Sequence, residues 1–334
     1  MMGDERQDPL QEADTGRDLY GIATWERRSR LDVVSSWLYW LIVRVGKGLV
    51  ILLASVTAVA IGGIGALTDP VIGVLAAISI LPAFVLAGYV WLSDVGGGEP
   101  ASLLAATFLL GVVTAGFAAV LNGVLQPYFG SLGVVGVVLF FYIVVGPVEE
   151  TVKLLAVRLW AYTDDRFSTV IDGAVYGAMA GLGFATIENA IYISQAVGEV
   201  GGVSLGLGLI GVGGDITATR ALAGPGHVVY SSFAGYYLGL AKFNPGSRGP
   251  IVVKGLLIAA AIHATYNATV GLGSGLIQVA TGLPELVSFV VFVLGYVGCF
   301  GYLLYRKLAR YRVAYRRVSD GRSGPGTGRG PDTG

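Results

Sequence analysis

Hydrophobic residues fall in long blocks separated by short polar or glycine-rich breaks. Eight blocks are long enough to cross a hydrocarbon layer as helices, for which about 20 apolar residues suffice. They lie near 48–67, 71–92, 101–125, 137–160, 173–196, 216–241, 250–272 and 284–305. Ahead of them, 29–45 carries Trp37, Tyr39 and Trp40 beside Arg30, Arg44 and Lys47, a pattern suited to a helix lying at the lipid interface. The stretch 198–214 is apolar, rich in glycine and too short to span, as a re-entrant or interfacial loop would be. The fold class expected is all-α: a polytopic membrane protein, a bundle of about eight transmembrane helices.

Charge placement supports this. Of 44 charged side chains among 334 residues, 15 lie in 1–47 and 10 in 306–334, leaving 19 for the 258 residues between. The start of the chain is acidic and polar, so the first membrane helix is expected to act as its own uncleaved insertion signal. Net charge is zero, which gives no electrostatic reason to expect nucleic acid as a partner, and the single Cys299 excludes a disulfide framework. The blocks 68–70, 126–136, 198–215 and 273–283 contain no Lys or Arg, whereas basic residues precede the first span, follow the last and flank the loop between the sixth and seventh. An even number of spans then puts both termini in the cytoplasm of a cell-membrane protein. The expected organisation is a polar, disordered N-terminus (1–30), an interfacial helix with three accessory spans (31–136), a four-helix core (137–272), a final span (284–305) and a basic, then disordered cytoplasmic tail (306–334).

Charge inside a bilayer is costly and needs a reason. Here it gathers in spans four to seven: Glu149, Glu150 and Lys153; Glu188 with Asn189; His227 with Ser231; His263 with Tyr266 and Asn267. Both histidines of the protein are in this set, and spans one to three and eight carry nothing comparable. At 1.5 Å per residue, Glu149, Glu188, His227 and His263 lie roughly 12–18 Å below the outer helix ends, provided span four starts near Val137 and runs to about Trp160. Gly146-Pro147 should kink that span. Helical spacing lets Lys153 reach either carboxylate, but it neutralises only one. Stripes of small residues (Gly173, Gly177, Gly181 and Ala185; Ser231, Gly235 and Gly239) allow close helix contact, as a shared pocket requires. Each group also has a structural reading, as a helix-end ion pair, an interhelical clamp or a packing histidine. Arg220 and Asp172, near span ends, read as interfacial or topological, and Asp164-Asp165-Arg166 as a solvated turn.

Four motifs occur in order: Glu149-Glu150-x-x-Lys153, Phe184-x-x-x-Glu188-Asn189, His227 within Gly-His-Val-Val-Tyr-Ser-Ser-Phe-Ala-Gly, and His263-x-x-Tyr266-Asn267. Over roughly 137–272 the chain resembles the PrsW intramembrane proteases, distant relatives of CAAX prenyl proteases and bacteriocin-processing enzymes. The resemblance implies hydrolysis of a peptide bond in or near the membrane segment of a protein substrate, such as a membrane-anchored anti-sigma factor. It leaves two chemistries open. In one, Glu150 or its neighbour Glu149 activates water, with His263 and Asn267 stabilising the oxyanion and His227 and Glu188 supporting them. In the other, a metal, usually assumed to be zinc, is held by Glu188, His227 and His263. No His-Glu-x-x-His motif is present. Two further classes compete: an ion- or proton-coupled transporter, against which stand the absence of an inverted repeat and the gathering of polar groups in one half, and a catalytically silent membrane scaffold.

Overall fold

The structure is a computed structural model, and it describes residues 28, 30–60, 68–95, 98–199 and 212–323. The expected N-terminal segment, most of the 198–214 loop and the end of the tail lie outside the described residues. Two compact units are present, Met1–Leu53 and Ala54–Gly334. The elements are α1 (Arg30–Ala60), α2 (Pro70–Trp91), α3 (Ala101–Gly130), α4 (Gly133–Phe140), α5 (Gly146–Leu159), α6 (Val170–Glu199), α7 (Val212–Lys242), α8 (Arg248–Thr281) and α9 (Glu285–Ser323). Among the described residues there is no strand. Among the described residues, six spans have the length and hydropathy to cross a membrane: α2, α3, the combined Gly133–Thr163, α6, Pro245–Thr281 and Glu285–Arg317. This is a multi-pass membrane protein. The other two long helices are α1 and α7; α7 is less apolar because it carries part of the polar cluster.

The expected interfacial helix and first span are one continuous helix, α1. No proline separates them, and Gly46 and Gly48 each cost only about 1 kcal/mol in a helix. Span four does continue through the carboxylates. A five-residue π-turn, Phe141–Val145, joins α4 to α5 directly before Gly146-Pro147. Pro147 lacks an N–H and its ring crowds the preceding turn, so a widened turn is the physical answer to the kink that the dipeptide demands.

Helix α6 is the centre of the larger unit. Its apolar window is 89% buried, against 33% for α2 and 11% for α9. The small-residue stripes explain how. A Cβ on Gly173, Gly177 or Gly181 would collide with the backbone carbonyl of Gly235, Ser231 or His227 respectively, and one on Gly239 with that of Val170. The paired numbers fall on one helix as they rise on the other, so α6 and α7 run antiparallel in backbone contact. Around this pair, α2 packs Ile72, Leu75 and Ala76 on Ala190, Ile193 and Val197, and α3 packs Ala115 and Ala118 with Val152, Phe184 and Ile187.

At the other end α6 starts with a capping box: Asp172 accepts hydrogen bonds from the backbone N–H groups of Ser168 and Thr169 and from the Thr169 hydroxyl. Asp172 is fully buried, so it is a structural cap rather than the interfacial residue that its position near a span end suggested. Tyr176, one turn on, donates to Glu99, a buried carboxyl in the connection before α3. Burial pushes the Glu99 carboxyl up to about 8. Asp164 and Arg166 form an exposed ion pair at 2.8 Å, as a solvated turn would, and Arg166 holds the Asp164 carboxyl down to about 2.

Candidate active site

Four helices bring the polar groups of spans four to seven to one place. Glu149, Glu150 and Lys153 come from α5, Glu188 and Asn189 from α6, His227 and Ser231 from α7, and His263 from α8. All are buried except Glu188, which is partly exposed.

Lys153 is the hub. Its Nζ donates to Glu150 Oε1 at 2.8 Å and to His227 Nδ1 at 2.9 Å, lies 3.6 Å from Glu149 Oε2, and sits 4.1 Å over the Phe184 ring. An ammonium has no lone pair, so His227 Nδ1 is the acceptor. Its Nε2 therefore carries the hydrogen and donates to Glu188 Oε2 at 2.9 Å. The second imidazole is held differently: His263 Nδ1 donates to Glu150 Oε1 at 3.0 Å, leaving Nε2 directed toward Glu149 Oε2 at 3.7 Å. The two imidazoles meet edge-on at 5.1 Å, and Tyr230 stacks on His263.

The two adjacent glutamates thus differ in role. Glu150 is fully buried and taken up by Lys153, His263 and the Ser231 hydroxyl, and it does not reach the cavity beside the site. Glu149 does. That cavity, about 450 Å³, is bordered by Glu149, Glu188, His227, His263, Tyr230 and Asn267, among others. Glu149 Oε1 accepts from Asn122 Nδ2 at 3.1 Å, whereas its Oε2 is buried with no hydrogen-bond partner. Tyr230 also presents a buried hydroxyl without a partner.

Glu188 is also engaged by Arg220, whose Nη2 donates to the same Oε2 at 2.5 Å and whose Nε donates to Asn189 Oδ1 at 2.9 Å. Arg220 is therefore part of the cluster and not a topological charge. Three carboxylates face two permanent cations, so a fully ionised site with neutral imidazoles has one negative charge in excess. Such an excess suits a bound cation or a proton.

Among the described residues of this cluster, the atoms that approach closely enough to share a metal are those of Glu149, His227 and His263, all within 4.8 Å of one another. This differs from the Glu188, His227, His263 set expected from the sequence: Glu188 lies on Arg220. Glu149 fits the role because its Oε2 accepts no hydrogen bond, and His263 because Glu150 holds its Nδ1–H and leaves Nε2 with a lone pair, the outer-shell arrangement common behind metal-bound histidines. His227 would have to give up Lys153 or Glu188 to take part. Two histidines and a glutamate form an established catalytic donor set for zinc.

Spans one to three are not bare, as the sequence suggested. Asn122 and Gln126 of α3 border the cavity, and Ser79 of α2 accepts from Asn189 Nδ2 at 2.9 Å. Two amides four residues apart in an apolar run were the available signal.

The family model described as PrsW family intramembrane metalloprotease matches residues 99–298. The chain is 30% identical over 192 residues to Protease PrsW of Bacillus subtilis (strain 168), covering 56% of this chain and 78% of that relative. It is 30% identical over 192 residues to Protease PrsW of Halalkalibacterium halodurans, covering 57% and 80%, and 28% identical over 195 residues to that of Clostridioides difficile (strain 630), covering 57% and 76%. No solved structure matches significantly. The match begins just before α3 and ends within α9, taking in every helix that supplies the cluster, and the relatives are covered over three quarters of their length or more: this chain belongs to the PrsW family of intramembrane metalloproteases.

Proposed function

We propose that the protein's intramembrane proteolysis turns on Glu149, with Glu150, Lys153, Glu188, His227, His263 and Asn267 completing the site. One observation carries this reading: Glu149 borders the cavity, and its Oε2 is buried and accepts no hydrogen bond. A carboxylate oxygen so placed takes a proton from a water attacking a peptide carbonyl. Glu150 fixes His263 and Lys153 and does not itself meet substrate. Tyr230 and Asn267 border the same cavity, and their hydroxyl and amide are the groups to donate to the developing oxyanion. His263 is less suited to that donation than its sequence position implied, because its proton is committed to Glu150.

A metal fits a variant of this chemistry. Glu149, His227 and His263 would hold it, and when bound a zinc ion supplies Lewis-acid polarisation and a more acidic water. Glu188, held by Arg220 and His227, would then be the remaining carboxylate bordering the cavity. The substrate is a membrane-anchored protein, of the anti-sigma-factor kind, with a locally unwound membrane segment, because helical amides are shielded by their own hydrogen bonds. Both termini lie on the cytoplasmic side, a reading that the distribution of Lys and Arg supports.

The test is to compare the new N-termini of membrane proteins in cells making the wild-type chain or Glu149→Gln, then to reconstitute cleavage of the segment found. Chelation that abolishes cleavage, with zinc restoring it, selects the metal form; insensitivity to chelation selects the water-activating form. Equal cleavage by wild type and Glu149→Gln overturns the proposal.

A further inference from the structure

Helix α3 carries a face that the mechanism has not used. A second cavity of about 270 Å³ lies between α3 and α6 and adjoins the first, with which it shares Asn122, Gln126, Glu149, Glu188 and Tyr192. One wall is Ala115, Ala119, Asn122, Gly123 and Gln126 of α3. The other is Phe184, Glu188, Ile191, Tyr192 and Gln195 of α6. Both sets follow one spacing, so two helix faces line the groove in matching register.

The two helices run in the same direction, and glycine decides where they touch. A Cβ on Gly111 would collide with the Ala180 carbonyl, and one on Gly183 with that of Phe108. Below the groove they are thus in backbone contact. Above it they part, and the opening ends at Gln126 and Gln195, both exposed and both four residues from their helix ends. From Ala115 to Gln126 the groove is roughly 16 Å long at 1.5 Å per residue. An extended chain at about 3.3 Å per residue lays down about five residues in that length.

The polar lining has one unmet demand. Asn122 Nδ2 is spent on Glu149, but Asn122 Oδ1 is buried without a hydrogen-bond partner. Buried polar atoms of this kind are rarely left unpaired. The oxygen is an acceptor beside the carboxylate on which hydrolysis depends. An unwound peptide entering from the bilayer brings the complementary need, backbone N–H and C=O groups with no water to satisfy them.

We propose that the α3–α6 groove binds the unwound backbone of the protein substrate, with Asn122 Oδ1 accepting a backbone N–H beside the scissile bond and the Gln126 and Gln195 amides engaging the residues toward the groove mouth. Asn122 is at once the partner that orients Glu149, so peptide binding and carboxylate placement act through one side chain. The inference rests on the proteolytic reading above and assigns the substrate's path within it.

The probe is a synthetic single-span peptide carrying the bond found by N-terminal profiling, reconstituted in proteoliposomes. Gln126→Leu with Gln195→Leu should lower kcat/KM about 10-fold, carried by KM, as expected for two lost hydrogen bonds of modest strength. Asn122→Leu should lower kcat as well, since Glu149 loses its donor. A second measurement needs no turnover and tolerates an inactive enzyme. With Cys299→Ser removing the only native thiol, Gln126→Cys or Gln195→Cys in a Glu149→Gln background should form a disulfide with a peptide cysteine near the bond, whereas Val279→Cys, on an exposed face of α8, should not. Unchanged KM in the double leucine variant, or equal cross-linking at Val279→Cys, overturns the groove assignment while Glu149→Gln remains inactive. Full activity of Glu149→Gln instead overturns the underlying proteolytic mechanism.

Discussion

Gly146→Ala tests whether helix spacing sets the geometry of the site. Gly146 opens α5 three residues before Glu149, and faces Ala260 of α8, three residues before His263. A Cβ there would stand 2.6 Å from the Ala260 carbonyl oxygen and 3.2 Å from the Ala264 Cβ. The first contact is about 0.8 Å short of an ordinary 3.4 Å approach, and its partner is backbone, which cannot rotate aside. The helices must separate by about that amount. The 3.0 Å bond from His263 to Glu150 crosses this same interface and would stretch beyond hydrogen-bonding range. A misplacement of this size costs about 10²-fold in rate where catalysis depends on alignment. Overpacking costs about 1–3 kcal/mol in stability, offset by up to about 1 kcal/mol from the better helix propensity of alanine. Cleavage rate and thermal unfolding should be read together in reconstituted protein, with Gly295→Ala as control, since nothing lies within 4 Å of a Cβ at Gly295. A Gly146→Ala protein as active as wild type would refute the claim that the α5–α8 contact sets the catalytic spacing.

Further expectations follow from the same geometry. Lys153→Met leaves Glu150 without its ammonium partner in a dry site and should unfold or inactivate the protein, since breaking one side of a buried pair costs about 3–5 kcal/mol; unfolding temperature and cleavage rate measure this, and a neutral outcome contradicts the hub role. Arg220→Gln frees Glu188 and should lower activity at least 10-fold while leaving the α6–α7 glycine contact in place, which helical content by circular dichroism would verify. The Glu99 carboxyl, with its pKa raised from about 4.5 to about 8, binds more protons in the folded state than in the unfolded one. Stability should therefore fall as pH rises from about 4.5 to 8. Glu99→Gln keeps an acceptor for Tyr176 and should flatten this slope; an unchanged pH profile of thermal unfolding argues against the buried-carboxyl account.

The sequence made some of this structure legible because charge is conspicuous in apolar runs. Glu149, Glu150, Lys153, Glu188, His227 and His263 stood out one by one, and the glycine stripes on α6 and α7 indicated which helices could approach closely. What could not be read was which atom faces which. The separation of Glu149 from Glu150, one in the cavity and one behind it, depends on the rotation of α5 after the π-turn. Arg220 looked like an end-of-span charge because its partner Glu188 is fixed only by the antiparallel register of α6 and α7. Asn122 and Gln126, two amides one turn apart in an apolar run, gain a meaning only when α3 is placed against α5. The union of the expected interfacial helix and first span into α1 reflects the weakness of charge as a helix boundary when no proline is present.

The most direct measurement compares Glu149→Gln and Glu150→Gln with wild type in proteoliposomes, following the cleaved membrane peptide by mass spectrometry and the fold by thermal unfolding. Glu149→Gln should fold with near-native stability, because Asn122 Nδ2 still finds an oxygen, and should lose at least about 10²-fold in rate, the lower end expected for removing a general base. Glu150→Gln should lose both stability and rate, because it strips the partner of Lys153 and His263. A Glu149→Gln protein that cleaves at the wild-type rate would contradict the account.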